Sequence, residues 1–121
     1  MINERRWFKI ERLDLDKKEK ILRFASSLKS ASVRADQRYV LSHSVDLTLD
    51  QSIERLKKTN WALFRMFIDY FYDEPLCEVY CRMSDPEEPL ERDVFIYIDL
   101  SEDDFFKVVK EFNIEEHQYG D

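Results

Sequence analysis

The chain predicts an α+β domain: a mainly antiparallel sheet with helices packed on one face, in the order (β)αβαββα. Two patterns carry that prediction. Apolar and polar residues alternate over residues 38–49 and 93–100, the period of half-buried strands. Elsewhere apolar residues recur at three- and four-residue steps, the period of amphipathic helices. A length of 121 residues, 44% hydrophobic and 14% aromatic, is enough to bury one core. One domain over 1–121 is expected, with 114–121 a polar tail that frays.

Residues 6–13 interleave Phe8 and Ile10 with Trp7, Lys9 and Glu11, which suits a short amphipathic strand or a helical turn. Asp14 or Asp16 then offers an N-cap for a helix through Lys29, with Ile21, Leu22, Phe24, Ala25 and Leu28 inward. Residues 30–37 read as a polar connection. The alternation of 38–49 puts Tyr39, Leu41, His43, Val45, Leu47 and Leu49 on one face, and predicts a long half-buried strand.

The densest apolar stretch follows at 50–73, where Ile53, Leu56, Leu63, Phe64, Phe67, Ile68 and Phe71 predict a central, mostly buried helix. Its weak point is Asn60; a break there would make Trp61 onward a strand. Pro75 stops the element, because the residue before a proline disfavours helical geometry. Residues 76–83 and 93–100 then form a hairpin across the acidic, turn-forming segment 84–92. Ser101 caps a last helix, with Glu102, Asp103 and Asp104 where the helix dipole favours carboxylates and Phe105, Val108, Val109 and Phe112 as its buried stripe.

The single glycine, Gly120, removes the scaffolds of several chemistries. Phosphate-cradling loops and the G-x-S-x-G nucleophile elbow need glycines that this chain lacks. No apolar run approaches the ~20 residues of a membrane-spanning helix. The first seven residues are followed by no apolar h-region, so no secretory signal is expected, and two cysteines then read as free thiols in the cytoplasm. Cys77 and Cys81 on one strand would share a face but stand ~13 Å apart, too far for a disulfide or a shared metal. His43 reads as a core histidine; its neighbours Ser42 and Ser44 point to the other face of the strand, so neither addresses the imidazole. A zinc site joining His43 to His117 would need a ligand from the tail. No cofactor is called for.

The net charge of −7 hides a gradient. Residues 1–40 carry +5 and residues 73–121 carry −12. The basic, aromatic-interleaved N-terminal segment raises nucleic-acid binding as a reading, but the acid block would repel phosphate, and a solvated or self-complementing surface explains the same residues. Within the block, Asp85, Glu87, Glu88 and Glu91 on one loop and Glu102, Asp103 and Asp104 on the next helix are expected to be exposed and to converge at one end of the hairpin. Tyr97 and Tyr119 would supply aromatic anchors beside them. Such a surface suits a basic protein partner; an acidic surface kept for solubility explains it equally.

In single-domain size, absence of catalytic loops, and acidic stretches such as Asp85-Pro86-Glu87-Glu88 and Ser101-Glu102-Asp103-Asp104, the chain resembles, as a class, the small acidic immunity proteins of bacterial toxin systems, including those of contact-dependent growth inhibition. The resemblance implies a cytoplasmic, non-enzymatic inhibitor of a cognate, basic, often nucleolytic toxin domain, binding neither nucleic acid nor membrane. The alternatives are a phage-type inhibitor or nucleic-acid mimic, and a small enzyme using His43.

Overall fold

The computed structural model describes residues 5–10, 14–39, 43–59, 61–70, 73–84 and 92–117. Ten elements follow one another: β1 (Arg5–Phe8), α1 (Leu15–Ser27), β2 (Ser32–Tyr39), β3 (Ser44–Asp46), α2 (Leu49–Lys58), β4 (Ala62–Asp69), β5 (Leu76–Ser84), β6 (Arg92–Leu100), α3 (Glu102–Glu111) and β7 (Glu116–His117). The strands form one seven-stranded antiparallel sheet in the order β3-β2-β6-β5-β4-β1-β7, and the fold is α+β as expected.

Each helix begins where a side chain satisfies an orphan backbone donor. Asp14 accepts from Lys17 N, Ser101 from Asp104 N, and Thr48 exchanges bonds with Gln51 in a capping box. α3 ends through Asn113 at φ 52°, a left-handed conformation asparagine tolerates, which lets Ile114 N reach Val109 O at 2.9 Å.

The alternation of each strand sorts its side chains onto two faces. Cys77, Val79, Cys81 and Met83 of β5 and Val94, Ile96, Ile98 and Leu100 of β6 lie in the core with Phe64, Met66 and Ile68 of β4. Ile21, Leu22 and Ala25 of α1, Ile53 and Leu56 of α2, and Phe105 and Val108 of α3 cover them from one side. Among the described residues the opposite face carries no helix.

Three expectations are corrected here. The stretch 50–73 is not one helix: α2 stops at Thr59, whose extended backbone breaks the turn, and whose hydroxyl lies 3.0 Å from Trp61 O and 3.2 Å from Ser84 O. Residues from Ala62 become β4, the strand anticipated if the helix broke at Asn60. Residues 32–37 are not a connection but most of β2, and the expected strand 38–49 straddles the β2–β3 hairpin and the start of α2. The tail is not frayed throughout, because Glu116 and His117 pair with Phe8 and Trp7 as β7. Arg6 secures that edge with 2.9 and 2.7 Å bonds to Glu116 and one of 3.1 Å to the Tyr70 hydroxyl.

Candidate functional site

The helix-free face reads as a grid, because antiparallel register places like-facing residues in rows across the sheet. One row runs His117, Trp7, Phe67, Glu78, Asp99, Ser32. The next runs Arg65, Tyr80, Tyr97, Arg34, and a third runs Leu63, Arg82, Phe95, Asp36, Asp46. Arg5 and Arg38 border the grid, opposite Asp69 and Asp93. Five aromatic rings and five arginines thus share one face.

The rings and guanidiniums pack in two groups, one around Trp7 and Phe67 and one around Tyr80, Phe95 and Tyr97. Trp7 and Phe67 lie 5.4 Å apart, Tyr80 and Tyr97 5.3 Å, and Phe95 is stacked with Tyr97 at 6.2 Å. Arg38 sits 4.0 Å above Phe95, Arg34 4.5 Å above Tyr97, and Arg5 4.9 Å above Phe67. Arg38 also donates to the Tyr97 hydroxyl at 2.9 Å. Cation–π contact and stacking hold the long arginine side chains flat, so their donors are ordered before any partner arrives. Arg5, Arg38 and Arg82 are neutralised by Asp69, Asp36 and Asp93 at 2.6, 3.0 and 2.6 Å.

Two acids sit among the rings. Burial, and a hydrogen bond to Asp99, push the Glu78 carboxyl up to about 8, so it holds its proton at neutral pH and donates to Asp99. Asp99 Oδ1 is buried and has no hydrogen-bond partner among the described residues. Burial likewise raises the Tyr80 phenol. The face therefore presents rings, guanidiniums and a neutral carboxylic acid rather than a field of free carboxylates.

The acids expected to act together are placed as follows. Asp85, Glu87, Glu88, Glu91 and Tyr119 lie outside the described residues. Glu102, Asp103 and Asp104 open α3 just after Leu100, whereas the described flanks of the acidic loop, Ser84 and Arg92, stand at the other end of the strands, about 26 Å away at ~3.3 Å per residue. The expected convergence of the two acid groups involves residues outside those described. Glu102 and Asp103 are exposed, but Asp104 is buried. It accepts from Ser30 N and Oγ at 3.0 and 2.5 Å, and these bonds hold its carboxyl below the usual range. Its role is to tie α3 to the segment after α1.

Of the expected anchors, Tyr97 lies on the grid and Tyr119 falls outside the described residues. Trp7, Phe67, Tyr80 and Phe95 were missed, though Phe95 and Tyr97 were visible as rings on the polar phase of the β6 alternation. His43 is exposed beside β3, a correction to its expected core position. Cys77 and Cys81 are free and buried on the helix-covered face, where burial raises both thiols, to about 11 and about 12. Among the described residues no three His, Cys, Asp or Glu side chains cluster to hold a metal ion. No described helix is long and apolar enough to cross a membrane.

Compared with known protein families, with curated proteins and with solved structures, the chain matches none.

Proposed function

We propose that this chain is a non-enzymatic protein-binding inhibitor that docks through the helix-free face of its sheet. The observation that carries the reading is the layer of five rings and five arginines on that face. Tyr, Trp, Phe and Arg are the residues enriched where protein interfaces concentrate their binding energy, and their pre-ordering lowers the entropy lost on docking. Consistent with the resemblance to immunity proteins, the partner is a cognate toxin domain met in the cytoplasm. The acids Asp85, Glu87, Glu88 and Glu91 join the two central strands of the face and would steer a basic partner towards it.

A tagged pull-down from the source organism at low and moderate salt tests this. One small basic protein retained near one-to-one, and lost with the double variant Tyr80→Ala/Tyr97→Ala, is the expected result. The charge reversals Glu87→Lys and Glu88→Lys should slow association at low salt and have less effect at high salt. Retention of single-stranded nucleic acid instead of protein would replace the reading with a stacking platform for bases. Retention of nothing, or retention indifferent to the face variants, would defeat it.

A further inference from the structure

The pairing of β1 with β4 stops at Phe8 and Met66, after which Lys9 N turns away to donate to Glu115 O at 2.7 Å. The divergence opens a cleft of about 360 Å³ between residues 9–10 and 63–65. That size falls in the range of small-ligand sites, roughly 300–1,000 Å³. Ile10, Leu63 and Phe64 give it apolar walls, Trp7 an aromatic one, and Lys9, Arg65 and His117 a polar rim.

The charge of that rim is unlike that of the chain. In a protein of net charge −7, no carboxylate lines the cleft among the described residues. Lys9 and Arg65 are both exposed, and neither makes an ion pair with a described residue, whereas Arg5, Arg38 and Arg82 on the neighbouring grid are each paired with an aspartate. Arg65 is held in place 5.6 Å from the Trp7 ring. Two uncompensated cations above apolar walls are complementary to one kind of occupant, an anionic head on an apolar or aromatic body.

We propose that the cleft between β1 and β4 is a binding site for a carboxylate carried on an aromatic or branched apolar group, borne either by a free small acid or by the C-terminus of a peptide. The apolar body enters between Ile10, Leu63 and Trp7, and Lys9 and Arg65 donate to the carboxylate. The cleft shares Trp7, Leu63, Arg65 and His117 with the edge of the grid, but the inference does not rest on docking there.

The test is titration of the full chain with 2-naphthoate and with its neutral amide, and with a tetrapeptide ending in a free phenylalanine carboxylate and its amide. The readout is the indole N–H resonance of Trp7, with Trp61 as internal control. One equivalent of at least one acid should bind saturably, with the matching amide about tenfold weaker. Lys9→Met and Arg65→Met should each weaken binding about fivefold without changing the melting temperature, and Lys107→Met should change nothing. Leu63→Trp, which fills the cleft, should abolish binding. Whichever acid binds more tightly identifies the carrier. Equal affinity for acid and amide, affinity unchanged in both cation variants, or no saturable shift of Trp7 with any probe would overturn the assignment.

Discussion

Glu78 and Asp99 face each other across the β5–β6 ladder, where burial and a hydrogen bond to Asp99 favour the protonated Glu78 carboxyl. Phe67 flanks the pair on β4, and Tyr80 follows Glu78 on the same face of β5. Two carboxylates this close cannot both ionise cheaply in such a setting.

That arrangement makes stability depend on pH in a set direction. The folded state raises the Glu78 carboxyl to about 8 from an unfolded value near 4.5. Its favourable contribution is complete below the unfolded value and is lost as pH rises through about 8. Glu78→Gln, which keeps a donor towards Asp99, should therefore be close to the parent at pH 5 and exceed it at pH 9 by roughly 4 kcal/mol. Urea unfolding at the two pH values checks this; a parent no less stable at pH 9 relative to the variant would mean that folding does not raise the Glu78 carboxyl.

Adjacent residues of β6 should respond unequally to truncation. Ile96 is fully buried under the helices, so Ile96→Ala should cost about 3 kcal/mol. Tyr97 points to the open face, and Tyr97→Ala should cost about 1 kcal/mol while removing the contacts that Arg34 and Arg38 make with its ring. Denaturant midpoints with unchanged slopes would measure both.

The left-handed turn at Asn113 should reject branched side chains. Asn113→Val should destabilise by about 1–2 kcal/mol, whereas Asn113→Gly should be neutral or better. Thermal melts of the two variants decide the point, and equal melting temperatures would refute it.

Both thiols should be inert in the folded state. Cys77 and Cys81 are fully buried, and burial lifts them to about 11 and about 12. At pH 8 a thiol-reactive disulfide reagent should label the native chain at least about a hundredfold more slowly than the urea-unfolded chain. Rapid labelling of either cysteine under native conditions would contradict the packing of β5.

The elements that could be read from the chain are those whose local signal and tertiary role agree. β6 alternates because one face meets helices and the other does not, and Ser101 and Asp14 cap the helices they precede. β4 misleads because Phe64, Met66 and Ile68 face the core while Leu63 and Phe67 meet the rings and guanidiniums opposite. A run that is apolar on both faces loses its alternation and mimics a buried helix. β2 misleads the other way, since its inward Gln37 is satisfied by Arg55 of α2 at 3.0 Å, so a buried position looks polar. The grid was out of reach for a different reason. Trp7, Phe67, Tyr80, Phe95 and Tyr97 come from four strands, and only the strand order places them together.

The strand order also dictates when the sheet can assemble. β4, β5 and β6 are a local meander, but Arg5 must find Asp69 64 positions away, and Arg6 must find Glu116 across 110. During synthesis β1 leaves the ribosome long before either of its neighbours exists, so it waits as a lone basic, aromatic strand until the meander offers an edge. Contact separation favours the meander as the earlier unit and docking of β1 and β7 as the later step. That step also completes the Trp7–Phe67 contact and the cleft beside it, so this corner of the molecule takes shape last.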